Sequence, residues 1–355
     1  MHKLREMQYA VARPIFVELA DFNVSVDAVL AGTAPGEVWV DDINSPRVGL
    51  VITSPGHYLA GDVSQASCYP ALRETIPSQG FLIFYPAGWE KVLDKIWSNP
   101  VARRHARKHM LWQRQHIADW RNLVPHRFQL VPVDPALLDR TNLRNHAAIA
   151  AWVAGWHSTK YFLQYGFGFC LLYDDTIASW CIADCANGHK CEMGVATDSD
   201  FRRQGLATIV IAAAVEHGLA KGFTHIGWHC FSSNTGSIAV AKKVGFAEAR
   251  EYFAHSPRLP AKNAPDLAPV EYAEWAQHYE DAVESNIRYA FDAAEAWALA
   301  DNADRALSNL QLLVDKGREV RPEWLTNNWR FASIQETPEF EGLVVQLRRK
   351  ASDAV

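Results

Sequence analysis

The run Thr197-Asp198-Ser199-Asp200-Phe201-Arg202-Arg203-Gln204-Gly205-Leu206-Ala207 has the residue types of an anion-binding turn. It lies between an apolar strand pattern and a segment that is apolar at almost every position. The first N–H groups of a helix have no carbonyl four residues back, and the positive end of the helix dipole lies beside them. A diphosphate suits such a place. Gly205 lets the backbone approach an anion with no side chain between, and Arg202 and Arg203 add positive charge. The same residues also read as an ordinary strand-to-helix turn with solvated arginines, and this segment alone does not choose. Cys181, Cys185, His189 and Cys191 raise the question of a metal. If Asn187-Gly188 is a two-residue hairpin turn, Cys185 pairs with Lys190 and Asp184 with Cys191. Cys191 then faces away from Cys181 and Cys185, the four ligands do not converge, and no metal is expected.

The elements around these residues follow from periodicity. Strand patterns lie near 127–133, 166–173, 177–185 and 190–197, followed by a helix over 204–221, a strand over 224–231, a helix over 235–244 and a strand from 246. Antiparallel hairpins thus precede a β-α-β unit. The helix after Gly205 carries Leu206, Ala207, Ile209, Val210, Ile211 and Val215 around its whole circumference, so it should pack deep against a sheet, and Gly222 ends it. Upstream, 38–40, 48–53 and 81–85 are strand candidates separated by Pro, Gly and Asn signals. The stretch 101–121 reads as a helix with a basic face of Arg103, Arg104, Arg107, Lys108, Arg114 and Arg121. That face is either a solvated surface or a site for phosphate or an acidic partner.

The strand, the Arg-x-x-Gly-x-Ala turn and the helix, followed by Asn234-x-x-Ser237 and Lys243-Val244-Gly245-Phe246, resemble the GCN5-related N-acetyltransferases (GNAT) in motif and spacing. The resemblance covers about residues 126–253. Gly36-Glu37-Val38-Trp39-Val40-Asp41-Asp42 and Tyr58-Leu59-Ala60-Gly61-Asp62 look like a bacterial subfamily with an extra N-terminal half. The fold this implies is α/β (α+β), with a mixed, mostly antiparallel sheet flanked by helices. Its expected domains are an N-terminal α/β half over 1–125, a degenerate GNAT-like copy, and a catalytic domain over 126–254.

The resemblance also implies roles. Pantetheine would lie between the strand at 192–197 and that at 224–231, bonded to backbone near Val195 and Thr197, with the diphosphate over Arg203, Gln204, Gly205, Leu206, Ala207 and Thr208. Asn234, with Ser237, would bond the pantetheine arm or cap the following helix. In this family a bound amine attacks the thioester of acetyl-CoA, or another acyl-CoA, directly. Glu192 matches the strand carboxylate that takes the amine proton, or else it faces solvent or pairs with Lys190, and His229 is the alternative, either catalytic or a packing residue. Ala241 stands where many relatives place the tyrosine that protonates the departing thiolate, so no general acid is assigned. A non-catalytic CoA-binding or interaction module, an O-acyltransferase and a decarboxylase are the other readings of the same fold.

Composition bounds the rest. A net charge of -5, from 35 basic and 40 acidic residues, gives no general attraction to nucleic acid or to acidic membranes. The expected partner is a small-molecule amine, with a protein acceptor reached through the C-terminal helices as the alternative, and an oligomer is compatible with the sequence. The start lacks a secretory pattern and the longest apolar runs are too short to cross a bilayer, so a cytoplasmic enzyme is expected. The six cysteines read as thiols. Pro257 to Pro269 marks a boundary, and 265–355 is helical: Ala303, Ala306, Leu307, Leu310, Leu313 and Val314 recur behind Asn302, and 293–317 resembles a tetratricopeptide helix pair. A single such pair must dock elsewhere, as a lid or an oligomer contact. No Rossmann, P-loop, zincin or nucleophile-elbow motif is present.

Overall fold

Runs rich in Val, Ile, Leu and aromatic residues form the strands: β1 (His2–Lys3), β2 (Glu37–Val40), β3 (Val48–Ile52), β4 (Gly56–Gly61), β5 (Phe81–Tyr85), β6 (Arg103–Trp112), β7 (Gln129–Pro132), β8 (Gly168–Tyr173), β9 (Thr176–Asn187), β10 (Lys190–Thr197), β11 (His225–Phe231) and β12 (Phe246–Ser256). The helices among them are α1 (Arg13–Phe22), α2 (Val24–Ala31), α3 (Tyr69–Thr75), α4 (Leu93–Ile96), α5 (Pro135–Leu138), α6 (His146–Val153), α7 (Thr159–Tyr165), α8 (Leu206–Ala220) and α9 (Thr235–Val244). This computed structural model describes residues 1–353 apart from Pro55, Gln115, His116 and Ala118. Among the described residues no helix is long and apolar enough to cross a membrane.

The strands join in one mixed, mostly antiparallel sheet in the order β1-β2-β3-β4-β5-β12-β6-β11-β10-β9-β8-β7. The order has an internal symmetry. Each half runs through antiparallel neighbours to a parallel pair, β4 with β5 and β10 with β11, crossed by α3 or α8. Each half then gives its last strand to the other: β6 lies beside β11, and β12 beside β5. The cores record the exchange. Met110 of β6 packs in the cluster built around α8, while Tyr252 and Ala254 of β12 pack with Phe16, Leu19 and Val26 of α1 and α2.

The segments 1–125 and 126–254 therefore share one sheet, and they belong to one compact unit, Met1–Asn99 with Arg104–Ser256. A fragment starting at residue 126 would leave β11 and β12 without β6 and β5 and would expose unpaired strand edges. We expect it to be insoluble or aggregated on expression, whereas 1–256 should give a monodisperse peak on gel filtration.

The stretch 101–121 is not a helix. Its described part is β6 to Trp112, then a 3-10 turn over Trp120–Leu123, and the expected segment also includes Gln115, His116 and Ala118, which lie outside the described residues. Alternation explains the error. In a strand the basic residues separate onto two faces: Lys108 meets Glu248 at 2.7 Å, while Arg107 shares the parity of the buried His105 and His109. Arg121 pairs with Glu216 of α8.

The β9–β10 hairpin is also shifted by one residue. Lys190 pairs with Asn187, so Gly188-His189 forms the turn, and Gly188 takes φ +57. A positive φ at the first central position suits a II′-type turn, for which Gly is preferred. The pairs are then Cys191 with Ala186 and Glu192 with Cys185, and the register slips beyond Glu192 so that Met193 meets Ala183 and Asp184 is left as the extra residue of a bulge. The bulge reverses the expected facing: Cys181 and Cys191 lie together in the core, and Cys185 faces the other way with Glu192.

The other compact unit, Pro100–Arg103 with Pro257–Val355, is helical, with α10 (Pro269–Asp281), α11 (Tyr289–Leu299), α12 (Ala303–Asp315), α13 (Pro322–Thr326) and α14 (Pro338–Asp353). Asn302 caps α12 by accepting from the Arg305 N–H at 3.2 Å. Glu280 of α10 accepts from the Trp297 indole at 2.7 Å and pairs with Arg305, which joins α10, α11 and α12 through one carboxylate.

Candidate active site

The two halves treat their parallel strand pairs differently. β4 and β5 stay paired from Gly56–Phe81 through Ala60–Tyr85. β10 and β11 pair only at Lys190–His225, Cys191–Ile226 and Glu192–Gly227, and beyond Glu192 they part. Val195 and Thr197 lie on the parted stretch, bonded to β9 on their other edge. The Thr197 hydroxyl meets that of Ser179 at 2.9 Å, and its carbonyl accepts from Arg202 Nε at 3.4 Å.

The turn after β10 is held from below. Asp198 accepts from Asn145 at 2.6 Å and from the Asp200 N–H at 3.0 Å, and Arg144 pairs with both Asp198 and Asp200. Arg202, Arg203, Gln204 and Gly205 are exposed above this clamp, with Arg203 and Gly205 at φ +60 and +80. The space around the Gly205 Cα is open. Leu206 and Thr208 are buried, and the Thr208 N–H returns to the Gly205 carbonyl at 3.0 Å, so the helix begins at once. The equivalent turn of the first half, between β4 and α3, has no such open glycine; Asp62, bonded to Ser64, Gln65 and Arg47, follows β4 as Asp198 follows β10.

Asn234 caps α9, accepting from the Ser237 N–H at 2.9 Å, and the Ser237 hydroxyl accepts from the Trp228 indole at 3.0 Å. Both side chains thus have structural partners at the start of α9. Ala241 is fully buried in α9, with no group that could give a proton.

Where β10 and β11 part, a cavity of about 310 Å³ opens. Its walls come from both halves: Ser25 of α2, Tyr58 of β4, Arg107 of β6, Asp184 of β9, Glu192 of β10 and His229 of β11. Trp152 of α6 lies so close over β10 that a Cβ on Gly194 would come within 2.1 Å of its ring. Only glycine allows that approach.

Glu192 and His229 meet here. Glu192 Oε1 accepts from the Val24 N–H, the first of α2, at 2.6 Å and lies 3.1 Å from His229 Nε2. His229 Nδ1 lies 3.0 Å from the Tyr252 hydroxyl, whose oxygen accepts from Arg107 Nε at 2.8 Å. Arg107 thus donates to the Tyr252 oxygen, and the His229 imidazole bridges the Tyr252 hydroxyl and the Glu192 carboxylate, joining the four side chains in one hydrogen-bonded chain. Burial pushes the Glu192 carboxyl up, but the His229 and Val24 donors outweigh it, and its pKa is lowered. His109, stacked on His229 at 4.6 Å, is held neutral by burial, with its pKa lowered to about 3.

The second carboxylate is Asp184, which the sequence reading did not select. The bulge takes it out of the ladder and turns it to the cavity, where the Trp152 indole donates to it. Asp184 is exposed and lines the cavity. Partial withdrawal from water in the cavity wall, against the pull of the indole and with the help of the Glu192 charge, raises its pKa to about 7. A carboxylate in the apolar run from Trp180 to Ala186 was the available signal. Arg107 and Tyr252 were hidden by the helical reading of 101–121 and by distance along the chain.

The site is thus a sheet that parts beside an open glycine turn and opens on a cavity with two carboxylates. The chain belongs to the GNAT acetyltransferase family, whose model matches residues 15–255 and so spans both halves, and it is an acetyltransferase of that type. It is 26% identical over 238 residues to an uncharacterized N-acetyltransferase, YdfB, of Bacillus subtilis, a match covering 64% of this chain and 87% of that protein. A GCN5-related N-acetyltransferase-like protein from Streptococcus suis shares the fold with a TM-score of 0.53 at 21% identity, over 64% of this chain and 90% of that one.

Proposed function

We propose that the protein transfers an acetyl group from acetyl-CoA to a small-molecule amine held in the cavity, by direct attack of the amine. The observation that carries this reading is the asymmetry of the two halves. Only the second has both the parted strands and the open glycine turn, so it is the half that receives CoA. Acetyl-CoA supplies the activated acyl group. The backbone of Val195 and Thr197 would align the pantetheine arm, and the N–H groups from Arg203 to Thr208, with Arg202, would hold the diphosphate.

The protein's own groups then manage charge and protons. Glu192 is ionised and fixed by two donors, so it draws the ammonium form of the amine into the cavity. Asp184, with its pKa near neutrality and lining the cavity, takes a proton from the ammonium and frees its lone pair. The amine then attacks, the C–N bond forms, the C–S bond breaks, and the second nitrogen proton balances the CoA thiolate that leaves. Fixed groups in a small cavity also supply orientation.

Saturating CoA at ~100 times its dissociation constant should stabilise the folded state by ~2.7 kcal/mol, read as a rise in Tm. Gly205→Glu should abolish the shift, because a negative side chain would occupy the open space and non-glycine residues are disfavoured at φ +80. An unshifted wild-type melting curve, with no calorimetric heat, would remove the basis of the reading.

A further inference from the structure

Arg107 carries a positive charge in the cavity wall that the protein itself does not answer. Its Nε donates to the Tyr252 hydroxyl, and its guanidinium lies over Phe81 at 4.5 Å and Phe231 at 5.1 Å. Among the described residues no carboxylate pairs with it and its terminal amino groups make no hydrogen bond to protein, yet Arg107 lines the cavity. Arg107 is half-buried, and a partly desolvated cation without a counter-ion is costly, with ring faces offsetting only part of that cost. The two cavity carboxylates, Asp184 and Glu192, lie elsewhere on the wall. Glu192 is separated from Arg107 by the whole His229–Tyr252 hydrogen-bond chain.

We propose that Arg107 binds an anionic group, a carboxylate or a phosphate, on the amine that accepts the acetyl group, so that the acceptor is an amino acid or another amine carrying a negative charge. This rests on the reading of the cavity as the acceptor site for acetyl transfer. The terminal amino groups of a guanidinium form a planar fork that matches a carboxylate or phosphate in two parallel bonds. Phe81 and Phe231 hold that plane, and Tyr252 fixes its third nitrogen. Asp184 and Glu192 receive the ammonium end and repel the anionic end. A zwitterion therefore enters in one orientation, with its nitrogen at the carboxylates, and a simple alkylamine has no such constraint.

The experiment compares matched amines as acceptors with the full chain: amino acids against the amines lacking only the carboxylate, and aminoalkyl phosphates against the corresponding amino alcohols. CoA release is the readout. At least one anionic class should exceed its neutral counterpart in kcat/KM by about 10²-fold, and which class does so identifies the anion. Arg107→Met should bring each pair near parity, mainly through KM of the anionic member, while Arg107→Lys should keep part of the preference. Tyr252→Phe, which removes the hydrogen bond but leaves the guanidinium, should keep the preference. A purely structural Arg107 would not produce that pattern.

Calorimetric binding of the same amines to the CoA complex reads the subsite without turnover. Neutral and anionic amines that bind or react equally well, or an Arg107→Met variant that weakens both members of each pair alike, would overturn the subsite. Absence of CoA release from every amine, with anion-dependent binding intact, would instead overturn the transfer reading and leave the subsite standing.

Discussion

Asp184→Asn should lower kcat/KM for the acceptor by ~10² to 10⁴, the range for removal of a general base. The amide keeps the shape of the side chain and its contact with the Trp152 indole, so CoA binding and melting temperature should change little. The pH profile is the sharper test. Asp184 must be ionised to accept a proton, and its pKa is raised to about 7, so the wild-type log(kcat/KM) should rise with pH and show a break near 7, where its slope falls by one. In Asp184→Asn that break should vanish, leaving only the ionisation of the amine itself. A variant that retains the break, or most of the rate, would place the base elsewhere.

Glu192→Gln should lower kcat/KM for a cationic amine by ~10² or more, the carboxylate's charge being lost where the ammonium binds. It also makes a linked prediction. The Glu192 charge helps to hold the Asp184 pKa up, so removing it should move the break to lower pH. The direction is fixed: a neighbouring negative charge disfavours ionisation of a second carboxyl, and its loss favours it. A break that stays in place would show that the two carboxylates are not coupled. A Glu192→Gln variant with full turnover would leave Glu192 a structural cap on α2 through the Val24 N–H.

The sequence by itself determined the local features of the second half. The turn from Arg202 to Ala207, the buried helix from Leu206 to Ala220 and the cap at Asn234 are local features, set by glycine conformation, apolar periodicity and a side chain three residues from its N–H partner, and they were legible without a fold. Glu192 and His229 were named from the family resemblance together with their places on strands. The tertiary structure alone decided the cavity. Asp184 enters it because the register slips beyond Glu192, a two-strand property that the one-residue error in the hairpin turn concealed. Arg107 enters it because β6 is exchanged between the halves: the same basic residues serve a helix face or a strand face equally well on paper, and only pairing with β11 separates Arg107 from Lys108. The hydrogen bonds that fix Glu192 come from Val24, 168 residues away, and from His229, 37 residues away. Local rules reach about one helical turn or one hairpin along the chain, whereas these contacts depend on which surfaces the packed sheet brings together.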